Sequence, residues 1–339
     1  MSLTLRLYAR AGFEACRALP ALGPSSRFAS PHGHSFTAQV RSRKTASNGA
    51  VEALQAELQT AVKAWNYQDL GAQSDESLAM GLQAQLPEAE SISLRSAPGH
   101  GVLCRGGQSP LYWRRYRFES AHRLPNVPPG HKCGRMHGHG FMAQLLLPGQ
   151  DMHCYERLDL AWAPLQQALH HRCLNHIAGL ENPTSENLAA WLWQQLHSSL
   201  PELVAVRVYE TASCGAQYDG QLYRIWKDVP FDSATCDARG LHGHTYTLRL
   251  QLQAPLDAVL GWTEDFGEVK AQFDPIFRRL DHHPLHEIEG LPESHPAAVA
   301  NWVRQNAAEQ LPALERVDLS QSPGCGALLH WGAAELDPL

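Results

Sequence analysis

Two histidines separated by one glycine, His137 and His139, end the segment HKCGRMHGH. On an extended strand, residues i and i+2 project from the same face, so both imidazoles can reach one metal ion. His122 ends the preceding predicted strand and would lie beside them if the two strands pair. Three neutral imidazoles with a fourth position open form the ligand set of a catalytic zinc ion. The residues therefore predict a Zn²⁺ site at His122, His137 and His139.

Cys133, four residues before His137, has two functional interpretations. It could close the zinc coordination shell as a fourth ligand. It could instead act as a thiolate base beside the ion, because a nearby cation lowers the pKa of a thiol. A third interpretation, a small buried side chain without function, fits poorly with Gly134 and the polar loop before it. We favour the base.

The His-Gly-His pattern occurs three times in the chain. It begins at His32, His137 and His242, so each occurrence follows the previous one by 105 residues. An equal period across most of a chain indicates tandem copies of one structural unit.

Each copy is predicted to be an α+β unit of two strands, two helices and two further strands. In the middle copy, Phe141, Ala143 and Leu145 alternate as on a half-buried strand. Thr184 or Ser185 is suited to cap a helix. Gly-rich turns near residues 109 and 220 separate the copies. The predicted domains are 1–109, 110–220 and 221–339.

Three such four-stranded sheets could join edge to edge into a pseudo-trimeric barrel of about twelve strands, with the helices outside. Closure would leave no exposed strand edge. The number of repeats predicts this antiparallel architecture.

The composition excludes several functional classes. The 339 residues are 44% hydrophobic, which is enough for a core of normal size. A net charge of −6 gives no electrostatic basis for binding nucleic acid or an anionic membrane surface. No apolar run approaches the roughly 20 residues that a membrane span needs. The eight cysteines form no CxxC pair, which indicates reduced thiols.

The N-terminal segment carries arginines and almost no acidic residue, as a transit peptide does. However, Phe13-Glu14-Ala15 matches Phe118-Glu119-Ser120 at the same interval of 105 residues, so the segment belongs to the repeat. We therefore expect a folded N-terminus and a cytoplasmic protein.

Three segments carry a resemblance to a known family: FESAHRLPNVPPGHKCGRMHGHGF, GLENPTSENLAAWLW and VRVYET. They resemble the 6-pyruvoyltetrahydropterin synthase family, which has the tunnelling fold, and within it the 6-carboxytetrahydropterin synthases. The resemblance covers the middle copy almost end to end. The third copy matches more thinly, through LHGHTYTLRLQL, DFGEVK and RLDHHPLHEI.

The resemblance implies a role for each residue of the middle copy. His122, His137 and His139 would hold zinc, Cys133 would abstract a proton, and Glu210 would anchor the 2-amino group and ring N–H of a pterin. The family substrate is 7,8-dihydroneopterin triphosphate, whose side-chain hydroxyls the zinc holds. The thiolate takes the proton with the help of an Asp-His pair, and triphosphate leaves.

The implied function is a zinc-dependent lyase that forms 6-carboxy-5,6,7,8-tetrahydropterin in the queuosine pathway. One alternative is a 6-pyruvoyltetrahydropterin synthase. An alternative of another class is a non-catalytic module that binds pterin or metal, because the outer copies depart from the family pattern.

The middle and third copies depart from the family pattern at complementary positions. In the middle copy the Asp-His pair reads His170-His171, whereas the third copy keeps it as Asp281-His282. The outer copies have other residues at three family positions: the third metal ligand, the thiolate and the anchoring glutamate. These are Arg17, Phe28 and Ser96 in the first copy, and Thr235, Ala238 and Leu319 in the third.

We therefore predict one composite site per chain, in which Asp281 and His282 serve the zinc centre of the middle copy as catalytic residues. The family places such pairs across subunit interfaces, and three copies in one chain would mimic a trimer. A homodimer of these pseudo-trimers is a further expectation.

Overall fold

The computed structural model describes residues 3–237 and 240–332. Long strands form where apolar and polar residues alternate, as on β7, where Phe141, Ala143 and Leu145 are buried against the helices. The strands are β1 (Thr4–Arg17), β2 (His32–Ser42), β3 (Gln68–Asp69), β4 (Ala89–Ala97), β5 (His100–Arg105), β6 (Leu111–His122), β7 (His137–Pro148), β8 (Arg172–Cys173), β9 (Ala205–Thr211), β10 (Cys214–Tyr218), β11 (Tyr223–Asp237), β12 (Gly240–Gln253), β13 (Leu314–Ser322) and β14 (Cys325–His330).

The helices follow the predicted pattern of two per copy. Their apolar residues recur every three or four positions, as in α1, which buries Val51, Leu54, Leu58 and Val62. Side-chain caps begin α2, α4, α5 and α6. The helices are α1 (Ala50–Lys63), α2 (Asp75–Gln85), α3 (His153–Leu169), α4 (Ser185–His197), α5 (Phe266–Leu280) and α6 (Pro296–Ala307).

Twelve strands form one closed antiparallel barrel, which confirms the predicted architecture. Closure occurs where β1 pairs with β14, with Thr4 opposite His330. The copies meet at the β5–β6 and β10–β11 pairs as well. β3 and β8, which the sequence analysis did not foresee, are two-residue strands that pair in parallel with β1 and β6.

The N-terminal strand is an integral part of this barrel, as the repeat predicted, because β1 pairs along its length with β2 and β14. Within the described residues, no helix is long and apolar enough to cross a membrane.

A stacked aromatic pair marks the same place in each copy. In every case one ring comes from the first long strand and the other from the strand that follows the His-Gly-His pattern. The ring centroids are 4.7 Å apart for Phe13 and Phe36, 5.3 Å for Phe118 and Phe141, and 5.0 Å for Phe231 and Tyr246. The three copies therefore share a packing motif directly beneath their histidines.

Candidate active site

Strand register brings the three predicted metal ligands together. His122 ends β6, His137 begins β7, and the two residues are direct partners in the ladder. His139 follows two residues later on the same face. One ligand atom from each of the three histidines lies within 4.8 Å of the others.

Hydrogen bonds fix the imidazole tautomers. Nδ1 of His122 faces the Pro183 carbonyl oxygen at 3.2 Å, and Nδ1 of His137 faces the Arg135 carbonyl oxygen at 2.8 Å. A carbonyl oxygen only accepts, so each Nδ1 carries a hydrogen, and in the neutral form of each ring Nε2 has the free lone pair. Such second contacts are typical of metal-binding histidines.

The distances and protonation fit a metal ion. Nε2 of His122 lies 3.1 Å from Nε2 of His139. Two nitrogens bound to one tetrahedral zinc ion would be about 3.3 Å apart. Burial, with a contribution from His137 and His139, lowers the pKa of His122 to about 4. His122 is therefore neutral near pH 7, as a ligand must be.

Cys133 sits in a short helical turn of the loop between β6 and β7. Its carbonyl oxygen accepts a hydrogen bond of 2.8 Å from the Leu124 N–H. Burial and the Glu210 carboxylate raise the pKa of the half-buried thiol, although Lys132 opposes them. The surrounding side chains thus favour the thiol over the thiolate, and a further cation is needed to reverse this preference.

Glu210 lies near the end of β9, with its side chain held from α4. The Ser185 hydroxyl donates to Glu210 Oε2 at 2.8 Å. Thr184 caps the same helix by accepting from the Asn187 N–H at 3.1 Å. The sequence had suggested this cap without showing that it aims Ser185 at Glu210.

A cavity of about 880 Å³ collects most of these groups, since Cys133, His137, His139 and Glu210 all line it. His122 lies directly behind His139, with ring centroids 5.1 Å apart. The third copy contributes part of the wall, through β11 and the N-terminal end of α5. The cavity therefore lies between the middle and third copies.

Four basic side chains that the sequence analysis did not single out line the same cavity: Lys132, Arg135, Lys227 and Lys270. Lys227 donates to the Ser213 hydroxyl at 3.4 Å. Within the described parts of the chain, none of the four forms an ion pair. They are scattered over three segments of sequence, so no local pattern could have revealed them.

Glu186, in the first turn of α4, is a second carboxylate that the sequence analysis did not single out. It is 2% exposed, and the Thr263 N–H donates to its Oε1 at 2.8 Å. Burial raises its pKa to about 7, against the effect of the Thr263 hydrogen bonds. Through Thr263 it connects α4 of the middle copy to the segment before α5.

Asp281 and His282 do not join this cavity. Nδ1 of His282 lies 2.9 Å from the Asp281 carboxylate, and the His282 N–H donates to the Asp232 carbonyl oxygen at 2.7 Å. His282 lines a separate hollow of about 480 Å³ with Gly243 and His244.

The length of α5 explains the separation. The first turn of α5 lines the Cys133 cavity, whereas Asp281 follows its last residue. A helix of 15 residues extends about 22 Å. The expectation that one chain alone completes the site with Asp281 and His282 is thus not met by this placement.

His170, which replaces the family's aspartate in the middle copy, keeps one of its structural tasks. Its Nδ1 accepts the Glu119 N–H at 3.0 Å, just as Asp281 Oδ1 accepts the Asp232 N–H at 3.0 Å. The following residue, His171, has a φ of 57°, close to the 58° of His282. The turn survives the substitution, but its carboxylate charge is lost.

In the first copy, a guanidinium lies where the middle copy has its third imidazole. Arg17 ends β1 and contacts Nε2 of His34 at 3.3 Å and the Asp75 carboxylate at 2.7 Å. Both side chains of the ion pair are fully buried. Although burial raises the pKa of Asp75, Arg17 and hydrogen bonds from Ser96 and Tyr155 hold it below its usual value. The buried positive charge of the first copy therefore belongs to a side chain and not to a dissociable ion.

The described residues of the third copy also lack the metal-binding arrangement. Its Thr235 hydroxyl bonds the Ser294 hydroxyl at 2.6 Å, and Leu319 is fully buried. Ala238, at the expected thiolate position, lies outside the described residues. Among the residues that the structure describes, His122, His137 and His139 form the one group of three or more potential ligands that could hold a metal ion.

Comparisons with known proteins identify the family of this chain. The family model of 6-pyruvoyl tetrahydropterin synthase matches residues 112–221 and again residues 225–330. Because these matches cover more than half of it, the chain belongs to the 6-pyruvoyl tetrahydropterin synthase family. The tunnelling fold and the tandem repeat expected from the sequence are confirmed.

Two curated relatives resemble about a third of the chain. A 6-carboxy-5,6,7,8-tetrahydropterin synthase from Synechocystis sp. is 32% identical over 120 residues, covering 32% of this chain and 92% of that protein. A dihydroneopterin monophosphate aldolase from Pyrococcus furiosus is 29% identical over 94 residues, covering 27% of this chain and 79% of that protein. The solved 6-pyruvoyl tetrahydropterin synthase of Caenorhabditis elegans has 23% identity and a TM-score of 0.29, covering 33% of this chain and 95% of its own.

Proposed function

We propose that this protein is a zinc-dependent lyase that converts 7,8-dihydroneopterin triphosphate to 6-carboxy-5,6,7,8-tetrahydropterin, a step of the queuosine pathway. The observation that carries the proposal is one cavity lined by Cys133, Glu210 and two of three convergent histidines. The similarity to the Synechocystis synthase supports the choice of product.

The cavity suits both halves of the substrate. Glu210 offers two acceptor oxygens to the parallel donors of a pterin edge, a pairing that favours an ionised carboxylate. Lys132, Arg135, Lys227 and Lys270 offer positive charge to the triphosphate. A volume of about 880 Å³ accommodates a ligand of this size.

Each protein group then has a defined task. A zinc ion at His122, His137 and His139 would supply positive charge that acidifies the adjacent C–H of the substrate. Cys133 accepts that proton at Sγ, and this requires the thiolate. Because burial and Glu210 raise the pKa of Cys133, a zinc ion held by the three histidines would favour the thiolate that this role requires.

Product identification tests this function. Metal-loaded protein incubated with 7,8-dihydroneopterin triphosphate is expected to yield the 6-carboxy product in mass spectrometry. Release of a 6-pyruvoyl product would favour the alternative synthase. Binding of the pterin at one metal ion per chain without turnover would favour a non-catalytic module and overturn the proposal.

Glu210→Gln is expected to weaken pterin binding without loss of metal. The substitution keeps the size of the side chain but turns one acceptor into a donor that faces the donors of the substrate. Titration of the protein with an unreactive pterin, monitored by fluorescence, measures the change. The control is Glu181→Gln, at an exposed carboxylate outside the cavity. Unchanged affinity in Glu210→Gln would refute the anchoring role.

We also propose that Asp281 and His282 act on the cavity of a second chain in a homodimer of pseudo-trimers. His282 is 76% exposed on its side chain, and Asp281 is hydrogen-bonded to it. The Asp281 carboxylate raises the pKa of His282, as a proton relay requires. An imidazole so exposed can meet a cavity of another molecule.

Complementation between two inactive variants tests this arrangement. Cys133→Ala and His282→Ala chains are each expected to be inactive alone. If dimers exchange chains freely, half of them become mixed and each mixed dimer has one intact site, so activity recovers to about a quarter of the wild-type value. Full activity of His282→Ala alone, or no recovery although native mass spectrometry detects mixed dimers, would exclude the shared site.

A further inference from the structure

His131 lies two residues before Cys133 and shapes the turn that carries it. Its Nδ1 accepts the Cys133 N–H at 3.2 Å, and its carbonyl oxygen accepts the Gly134 N–H at 3.1 Å. The ring lies beside Trp262 of the third copy, with centroids 5.9 Å apart. Because Nδ1 accepts, the neutral ring carries its hydrogen on Nε2.

That Nε2 faces a carboxylate of the third copy, 3.6 Å from Asp265 Oδ2. The other oxygen of Asp265, Oδ1, caps α5 by accepting from the N–H groups of Gly267 at 2.7 Å and Glu268 at 3.1 Å. Both side chains are mostly buried, with exposed fractions of 24% for His131 and 20% for Asp265. Asp265 thus holds α5 with one oxygen and faces His131 with the other.

We propose that His131 and Asp265 form a positioning pair that holds the Cys133 turn of the middle copy against α5 of the third copy. The inference rests on the proposed function, in which the Cys133 thiol must keep its place relative to the three histidines. His131 acts on Cys133 through the hydrogen bond to its backbone N–H. Asp265 lines the cavity, and its charge also raises the pKa of the Cys133 thiol.

The surroundings of the turn show why it needs such a contact. Lys132, Arg135 and Met136 beside Cys133 are exposed, so few apolar contacts restrain this loop. Misplacement of a reacting group by about 1 Å can lower a rate by about 100-fold. The pair also gives the third copy, which has lost its own site, a part in the site of the middle copy.

Three variants separate the interaction of the pair from the local turn. His131→Asn keeps an acceptor for the Cys133 N–H, as asparagine does in such turns, but is too short to reach Asp265. Asp265→Asn keeps a helix cap of similar strength but presents an amide to Nε2. The double variant measures their coupling. His295→Asn is the matched control, because Nδ1 of His295 also accepts a backbone N–H while its Nε2 faces Glu293, far from Cys133 in sequence.

Each single variant is expected to lower kcat by about 10- to 100-fold with KM within about twofold of wild type. The rate at which iodoacetamide alkylates Cys133 is mapped by peptide mass spectrometry and taken at the high-pH plateau of its pH profile, where the effect of the Asp265 charge on the thiol pKa no longer enters. This rate should rise by about three- to tenfold because the turn opens more often. The double variant should equal the single ones, and His295→Asn should match wild type in both measurements.

The alkylation measurement separates this inference from the proposed function, because it needs neither substrate nor turnover. Faster alkylation in both single variants of a chain without activity would support the pair and refute the function alone. Wild-type alkylation in His131→Asn would show that the local turn suffices. Additive effects in the double variant would show that the residues act independently. Either of these last two results would overturn the inference.

Discussion

Cys133→Ala is expected to lower turnover by about 100- to 10,000-fold, the range of a positioned general base, while the protein keeps one metal ion per chain. The side chain lines the cavity with His137 and His139, and the three histidines already converge without it. Removing the thiol should therefore abolish proton abstraction and leave the metal site intact. Single-turnover kinetics and metal analysis on the same preparation measure both effects.

Cys236→Ala provides the control for this prediction, because Cys236 is an exposed cysteine of the third copy. It should retain both metal and activity. Loss of metal together with activity in Cys133→Ala would instead identify Cys133 as a fourth ligand, the other role that the sequence permits.

The double substitution His137→Ala/His139→Ala is expected to reduce the metal content from one ion per chain to nearly none and to abolish turnover. It leaves His122 alone, and a single imidazole cannot compete with water for a divalent ion. Elemental analysis after dialysis measures the content. Circular dichroism should show an intact barrel, because the stacked pair of Phe118 and Phe141 lies beneath the site and does not depend on it.

The triplication supplies a matched control at the corresponding positions of the third copy. His242→Ala/His244→Ala removes two histidines of the same spacing and is expected to leave one metal ion per chain. Retention of metal in the middle-copy variant, or its loss in the third-copy variant, would contradict the assignment of the metal to His122, His137 and His139.

The sequence predicted those parts of the site that lie within one copy. Period-two alternation and the i, i+2 spacing suffice to place His137 and His139 on one face, and the pairing of adjacent strands then brings in His122. The 105-residue interval predicted the repeat that builds the barrel. These features are local, so their geometry follows from the strand itself.

Features that depend on how copies meet could not be predicted in this way. Lys227, Lys270 and Asp265 reach the cavity from another copy, 94, 137 and 132 residues after Cys133. The complementary losses suggested that Asp281 and His282 serve the same cavity within the chain, but such a comparison contains no distances. The length of α5 places them at its far end.

The buried Arg17 of the first copy has a consequence for the metal-free protein. A coordinated ion can be withdrawn by a chelator, whereas a guanidinium on the backbone cannot leave. The charge of Asp75 is therefore neutralised whether or not metal is supplied. The end of β1, which carries Arg17, keeps its buried ion pair in both conditions. Removal of metal should abolish the activity of the middle copy and leave the structure of the first copy unchanged. The metal-free protein should therefore stay folded and bind metal again without refolding.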